Sequence, residues 1–451
     1  MRLLLFGAGK MYQEIKRELK PFHILAIIDN DEKKHGQVLD GHPIVSPKSV
    51  NDYRFDYIVL TNSYQEDTRR QLIKLGIDKK KIATNISELF LEKLYVRRAY
   101  VYKGLRSNLR NDAKRVLLIA HDLSEGGAQN VLLNVARWFA AEGFNIEVFA
   151  VGGETILYEF LKIGAQVSIF DEYNFTEEEV EAFKDRYDLA VANTLLVYDM
   201  VLKFSQSIPV LWWIHEADVY FEHCQIKRET FALLKKVNIF AGGERVQESF
   251  YQYAGYEIPV LRYGIPLEYS NSSVHGRFTF ALIGYEEYRK GIDAYVQAVE
   301  ENGDRWDEHY RFLVIGNTLE IQKKYFQCSK IEFLGQLSHE ALSTLYGEID
   351  VLVCPSRDDP QPMVVTEAMM RRKCCIISDQ TGQASLIENY REGIICKAGD
   401  ADSLAECIQW VMEHNDAVKE IGEKAFGVYE KFFSIEKFDE RLNEIVTEII
   451  K

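Results

Sequence analysis

The chain has 451 residues, about three times the roughly 150 residues usual for one domain, so it holds material for two or three full cores. Its formal charge of −15 excludes non-specific attachment to nucleic acid as a main activity, because polyanion binding draws on a basic surface. Seven cysteines, an odd number without a CxxC pair, read as reduced thiols of a cytoplasmic protein and exclude a disulfide frame or a zinc site.

The opening "MRLLLFGAGK" lacks the layout of an export signal and runs straight into a glycine turn, so it is read as folded protein. No window reaches about 18 uninterrupted apolar residues, which leaves only a peripheral membrane role open. Short apolar runs alternate with helix-length amphipathic segments throughout, the pattern of parallel sheets covered by helices. In residues 1–92, "RLLLFGAG", "FHILAIID", "FDYIVLTNS" and the helix "QEDTRRQLIKLG" predict a small doubly wound unit. Residues 93–112 form a basic linker, with Arg97, Arg98, Lys103, Arg106 and Arg110 among Tyr95, Tyr100 and Tyr102. Such a segment suits either an anionic membrane surface or the acidic bulk of the protein itself.

Residues 113–268 open with "RVLLIAHD", then Gly126-Gly127 and a helix whose Val131, Leu132, Val135 and Phe139 make one apolar stripe. The strands "IEVFAVGG", "DLAVANT", "VLWWIH" and "VNIFAGG" follow, and the polar loop "LEYSNSSVHG" predicts a hinge. Residues 269–430 repeat the scheme with "FTFALIGY", "RFLVIGN", "IEFLGQ", "DVLVCPS", "CCIIS" and "GIICKAG", each separated by a helix. Residues 431–451 read as an amphipathic helix that packs back across the domains.

In such sheets ligands sit at the carboxyl ends of strands, where helix N-termini offer N–H groups and partial positive charge. Four junctions carry candidate chemistry. In "DVLVCPSRDDPQPMVVTEAMM" a loop with Pro360 and Pro362 leads into a helix, so the amides of Met363 and Val364 can face an anion. Asp359 and Glu367 would accept from sugar hydroxyls on either side, although local capping and turn formation would use the same residues. In "FALIGYEEYRKGIDAYVQA", Arg289 and Lys290 stand where a diphosphate could approach, or else form a solvated basic turn beside Glu286 and Glu287. In "DLSEGGAQN", Gly126 and Gly127 admit close backbone approach. In "WWIHEAD", His215 and Glu216 end an apolar strand, a position that serves packing as readily as ligand contact.

Together, "SEGGAQNVLLNVAR", "WWIHE", "YGIP", "RKGID", "FLGQLSHEALSTLYGEIDVLVCPSRDDPQPMVVTEAM" and "CCIISDQTGQASLI" resemble the retaining glycosyltransferases of family 4. The resemblance implies a GT-B fold, two Rossmann-like α/β domains facing a cleft. It implies that Glu367 holds the donor ribose, that Asp359 and His215 meet the transferred sugar, and that Arg289 and Lys290 neutralise the leaving diphosphate. Gly284, Gly335, Pro362, Met363 and Val364 would line the nucleotide, and Gly126, Gly127 and Glu216 the acceptor side. Two positions depart from the family pattern: Asp359 replaces the first acid of its paired glutamates, and Tyr285 replaces an arginine after Gly284. The implied donor is a UDP-, GDP- or dTDP-linked sugar and the acceptor a glycan or lipid-linked saccharide, with no metal, no cofactor and no nucleic acid. A nucleotide-sugar epimerase of the same fold, or an inactive scaffold subunit, are the alternatives.

The first block is similar to the small Rossmann-like domains at the front of sugar acetyltransferases and other surface-polysaccharide enzymes, on "FGAGKMYQEI", "AIIDNDEKKHG", "GHPIVSP" and "YIVLTNS". Gly7 and Gly9 match a phosphate turn, and Asp29 follows twenty residues after Gly9, where a ribose-binding acid belongs. Tyr12 stands in place of the third glycine, which argues against a complete dinucleotide and leaves a smaller nucleotide or a purely structural domain.

Overall fold

Runs such as Val351–Cys354 and Cys374–Ser378 are apolar at nearly every position because both faces of their sheet are covered by helices. A computed structural model describes residues 1–16, 19, 22–84, 89, 99–104, 113–124, 126–153, 155–173, 175–268, 276–316, 319–325 and 328–451. It divides into two units: Met1–Asn193 with Val197–Leu211 and Ile450, and Thr194–Leu196 with Trp212–Ile449 and Lys451.

The first unit contains two sheets. One has the order Val38–Leu39, His42–Val45, His23–Ile28, Arg2–Phe6, Tyr57–Leu60, Ile82–Ala83, parallel except for the first pair. Leu4, Phe6, Ala26, Ile28, Ile58, Leu60 and Leu72 fill its core. In the other, Arg115–Ile119 lies between Leu189–Asn193 and Asn145–Val151, followed by Gln166–Phe170. The helix Gly127–Ala141 buries the predicted stripe and also Leu133, Ala136 and Trp138, so it is covered on more than one side.

Gln166–Phe170 was not expected as a strand because Gln166 and Ser168 interrupt its apolar residues. Their partner is the buried Glu147, which accepts from Gln166 at 2.8 Å and from Tyr187 at 2.6 Å and pairs with Arg186 at 2.8 Å. Within the segment read as a linker, Ala99–Tyr102 forms an antiparallel edge strand on Gln166–Phe170. Tyr95, Arg97, Arg98, Arg106 and Arg110, the rest of the expected membrane-facing set apart from Lys103, lie outside the described residues.

The second unit contains a parallel sheet of order Ile331–Gly335, Tyr310–Ile315, Phe278–Ile283, Val351–Cys354, Cys374–Ser378, Ile394–Cys396. The crossover before Ile394–Cys396 is not a full helix, as the alternation suggested, but the short 3-10 turn Gly382–Leu386. Cys374 and Cys375 are fully buried in their strand. The C-terminal helix Ile435–Ile449 packs through Phe438, whose ring stacks on Trp213 with centroids 5.6 Å apart. Tyr429 in the preceding helix donates to the Ile265 carbonyl at 3.0 Å. Most of the expected hinge, residues 269–275, lies outside the described residues, among which no helix is long and apolar enough to cross a membrane.

Candidate functional site

Three adjacent strands of the second unit carry a glycine at or just after their last residue: Gly284, Gly316 and Gly335. The Gly284 amide donates to Ile315 and the Gly316 amide to Gly335, each at 2.8 Å. Gly316 has φ +144°, and a Cβ there would run into the Gly284 carbonyl. Gly335 has φ +67° with open space where a Cβ would point. Gly291 is forced in the same way: at φ +69° a Cβ would strike the Pro355 carbonyl, so the turn carrying Arg289 and Lys290 presses on the end of Val351–Cys354.

That contact brings together residues almost seventy positions apart. Lys290 pairs with Asp359, and both are largely buried. Burial pulls the Lys290 ammonium down, but the charge of Asp359 outweighs it and holds the group above its ordinary range. Arg289 grips Glu286 through Nε at 2.5 Å and a terminal nitrogen at 3.1 Å, and gives its other terminal nitrogen to the Asp358 carbonyl at 3.1 Å. The Asp358 carboxylate faces Arg245 at 3.3 Å. Burial pushes the Asp358 carboxyl above its ordinary value against the pull of Arg245.

The helix Met363–Met370 begins after Pro362, which serves as its N-cap and not as its first residue. The amides of Val365 and Thr366 return to the Pro362 carbonyl at 3.2 and 3.5 Å, leaving Met363 and Val364 ahead of the helix's own ladder. No acidic side chain occupies the first turn. Below it lies a polar tie that sequence reading missed: Tyr263 bonds Thr366 at 2.8 Å, and Gln383 donates to the Pro362 carbonyl and to Thr366 at 3.0 and 3.1 Å. Glu367 accepts from Tyr346 at 3.1 Å, and burial raises its carboxyl although Arg371 and Tyr346 oppose this.

His215 and Glu216 close the strand Val210–Ile214. Burial drops the His215 imidazole to about 3, so it is neutral at physiological pH. Thr194 adopts φ +89°, a costly conformation for a β-branched residue, and the next amide, Leu195, donates to the Glu216 carboxylate at 2.8 Å. The His215 amide adds a second bond at 3.2 Å, yet burial still pushes Glu216 up to about 7. Burial raises the Tyr220 phenol, and the charges of Glu286 and Glu216 add to this while Arg289 opposes it, which sets Tyr220 among the two clusters. A Cβ on Gly242 would touch His215 Nδ1 at 3.0 Å, and one on Gly243 would touch Gln361 Nε2 at 3.5 Å. His215, Arg245, Lys290, Asp359 and the loop to Glu367 therefore form one neighbourhood of the second unit.

The first unit holds the other candidates. Gly126 is extended and caps the helix Gly127–Ala141, and a Cβ on it would strike the Gln129 side chain. Gln129 donates to Asp122 at 2.5 Å, backing a loop that the glycine pair alone had marked. In the N-terminal sheet Gly7 has φ +122° and a Cβ would meet the Thr61 carbonyl at 2.7 Å, whereas Gly9 faces open space. Asp29 accepts from the Ala8 amide at 2.9 Å, from the Asp31 amide at 2.9 Å and from Lys34 at 2.9 Å. Burial pushes this carboxyl up, but the two amides and Lys34 outweigh it and hold it below its ordinary value. Asp29 thus spends its oxygens inside the turn. Tyr12, in the third-glycine position, is buried and donates to Asp40 at 2.9 Å.

Residues 269–428 match the family model of glycosyl transferases group 1, residues 112–244 that of glycosyl-transferase family 4, and residues 1–83 that of C2185-like N-terminal domains. An uncharacterized glycosyltransferase of Methanocaldococcus jannaschii is 24% identical over 247 residues, 52% of this chain and 68% of the relative. Among solved structures, a glycosyltransferase from Rickettsia africae superposes with a TM-score of 0.64 at 16% identity, covering 75% of this chain and 99% of the other. HepE of Anabaena, solved with UDP and glucose, gives 0.63 at 17% identity, covering 74% of this chain and 100% of the other. The matches and the sheets together support a glycosyltransferase of GT-B fold preceded by an additional N-terminal α/β domain.

Proposed function

We propose that the chain is a retaining glycosyltransferase that moves a sugar from a nucleotide-sugar donor to a glycan or lipid-linked acceptor in surface glycan synthesis. The observation that carries this reading is the convergence of Lys290, Asp359, Glu367 and the amide-bearing start of Met363–Met370 at the carboxyl ends of neighbouring strands. A diphosphate asks for cations and N–H donors, and a sugar asks for carboxylate acceptors. Both sets stand here within one loop and one turn. HepE, which shares the fold, has been solved with UDP-glucose, and this favours a UDP-sugar among the UDP-, GDP- and dTDP-linked donors.

In the transfer, the acceptor hydroxyl oxygen bonds to the anomeric carbon on the face from which the diphosphate leaves. The bond between that carbon and the phosphate oxygen breaks, and the hydroxyl proton passes to the departing phosphate oxygen. No separate general base and no metal is required by this scheme. Lys290 turns from Asp359 to the diphosphate as its charge develops, and Asp359 becomes free to accept from a sugar hydroxyl. Glu367, steadied by Tyr346, accepts from the ribose. His215, being neutral, contributes a hydrogen bond and not a charge.

The test is turnover across UDP-, GDP- and dTDP-sugars, with NMR of the product's anomeric proton. Transfer with retained configuration, lost in Glu367→Ala, is the expected result. Turnover with no donor, an inverted product, or full activity in Glu367→Ala would contradict the proposal.

A further inference from the structure

We infer that Arg245, and not Arg289, supplies the second cation that meets the donor's diphosphate. The inference rests on the nucleotide-sugar reading of the site. The family pattern places an arginine after Gly284, where this chain has Tyr285, and sequence alone offers Arg289 in exchange.

The geometry of Arg289 argues against that exchange. Three of its N–H groups are committed, two to Glu286 and one to the Asp358 carbonyl, and its own carbonyl accepts the Arg357 amide at 2.8 Å. It is a pin that fixes the Lys290 turn to the 355–359 loop. A planar guanidinium held by both oxygens of one carboxylate has little left to offer a phosphate.

Arg245 stands differently. It lies in the first turn of the helix Glu244–Ala254, directly after Gly242-Gly243, and that turn borders the donor loop: a Cβ on Gly243 would touch the Pro360 carbonyl at 3.5 Å. Its Nε gives one hydrogen bond, to Asp358 at 3.3 Å, and a terminal nitrogen stands 3.5 Å from Asp218. The two arginines are similarly exposed, 22% of the side chain at Arg245 and 25% at Arg289, so what separates them is how many of their N–H groups are engaged. Of the two, Arg245 has the fewer committed donors, one hydrogen bond against three for Arg289. The contacts of Arg245 to Asp358 and Asp218, at 3.3 and 3.5 Å, are both long for an arginine–carboxylate pair. A diphosphate entering beside the 358–362 loop would take Asp358's place on the guanidinium as a bidentate partner.

Calorimetric titration of the full chain with UDP and UMP tests this. Arg245→Gln is expected to weaken UDP binding about ten- to a hundredfold while moving UMP by less than about threefold, and Arg245→Lys to recover part of the loss. Should Arg245→Gln fold poorly, Asp358→Asn reads the same claim in the opposite sense: freeing the guanidinium is expected to tighten UDP binding a few-fold. Equal UDP affinity in wild type and Arg245→Gln, or weaker binding in Asp358→Asn, would overturn the inference alone. A wild-type chain that binds UDP, GDP and dTDP no better than buffer would overturn the nucleotide-sugar reading with it.

Discussion

The turn after Arg2–Phe6 and the loop after Val351–Cys354 occupy the same place in their sheets, the carboxyl end of a strand leading into a helix. Both bring an acid to that end, Asp29 in the first and Asp359 in the second. In the N-terminal turn the acid lies on the chain's own amide, at Ala8, and on Lys34. In the second loop the acid lies on a cation from a distant turn, while the helix start at Met363 carries no acidic side chain. The difference is who occupies the anion-binding groups. A turn whose N–H already holds a carboxylate is a closed structural joint, whereas an ion pair beside a helix start without a capping side chain can exchange partners with a phosphate.

The comparison is broken most directly by Lys290→Ala. The change removes the cation from the second loop and leaves Asp359 buried without a partner. Steady-state kinetics are expected to show kcat/KM falling about a hundredfold or more, an effect on the scale of losing one preset charge at a developing anion. Next in size is Gly382→Ala, whose Cβ would run into the Pro360 carbonyl and push the 358–362 loop from its seat. Thermal unfolding should report a loss of about 2 kcal/mol in the second unit, as for other overpacked sites.

Asp29→Ala sharpens the other side. It should cost about 1–2 kcal/mol in melting experiments by orphaning the Ala8 and Asp31 amides, and leave transfer unchanged. Because Asp29 is held below its ordinary value in the folded chain, its contribution is present above the ordinary carboxylate range. It is lost as pH falls through the lowered folded value. The wild type should therefore lose stability on acidification over a range in which the variant does not. The smallest effect belongs to Gly9→Ala. With open space at its Cβ and no positive φ, unfolding should shift by less than about 0.5 kcal/mol, whereas a turn that wrapped a phosphate would lose its ligand.

Strands with unbroken apolar runs were legible in the sequence, as were the loop-and-helix character of 355–370 and the acids at 359 and 367. Gln166–Phe170 was not, because its polar residues satisfy a buried ion pair at Glu147 that only the fold assembles. The pairing of Lys290 with Asp359 spans 69 positions, and no local pattern announces it. Arg245 escaped because "VNIFAGG" was read as a strand and the residues after it were given no role. A double glycine at a strand end followed by Glu-Arg in the first helical turn is the signal that could have found it. Asp29 is the converse case, a correctly spaced acid whose oxygens bond within the turn itself.

The central claim is tested most directly by a crystal structure of the chain with UDP. The account predicts the diphosphate on Lys290 and the amides of Met363 and Val364, with the ribose on Glu367. UDP seated on the Gly7–Gly9 turn, or bound away from Lys290 with the Lys290–Asp359 pair intact, would contradict it.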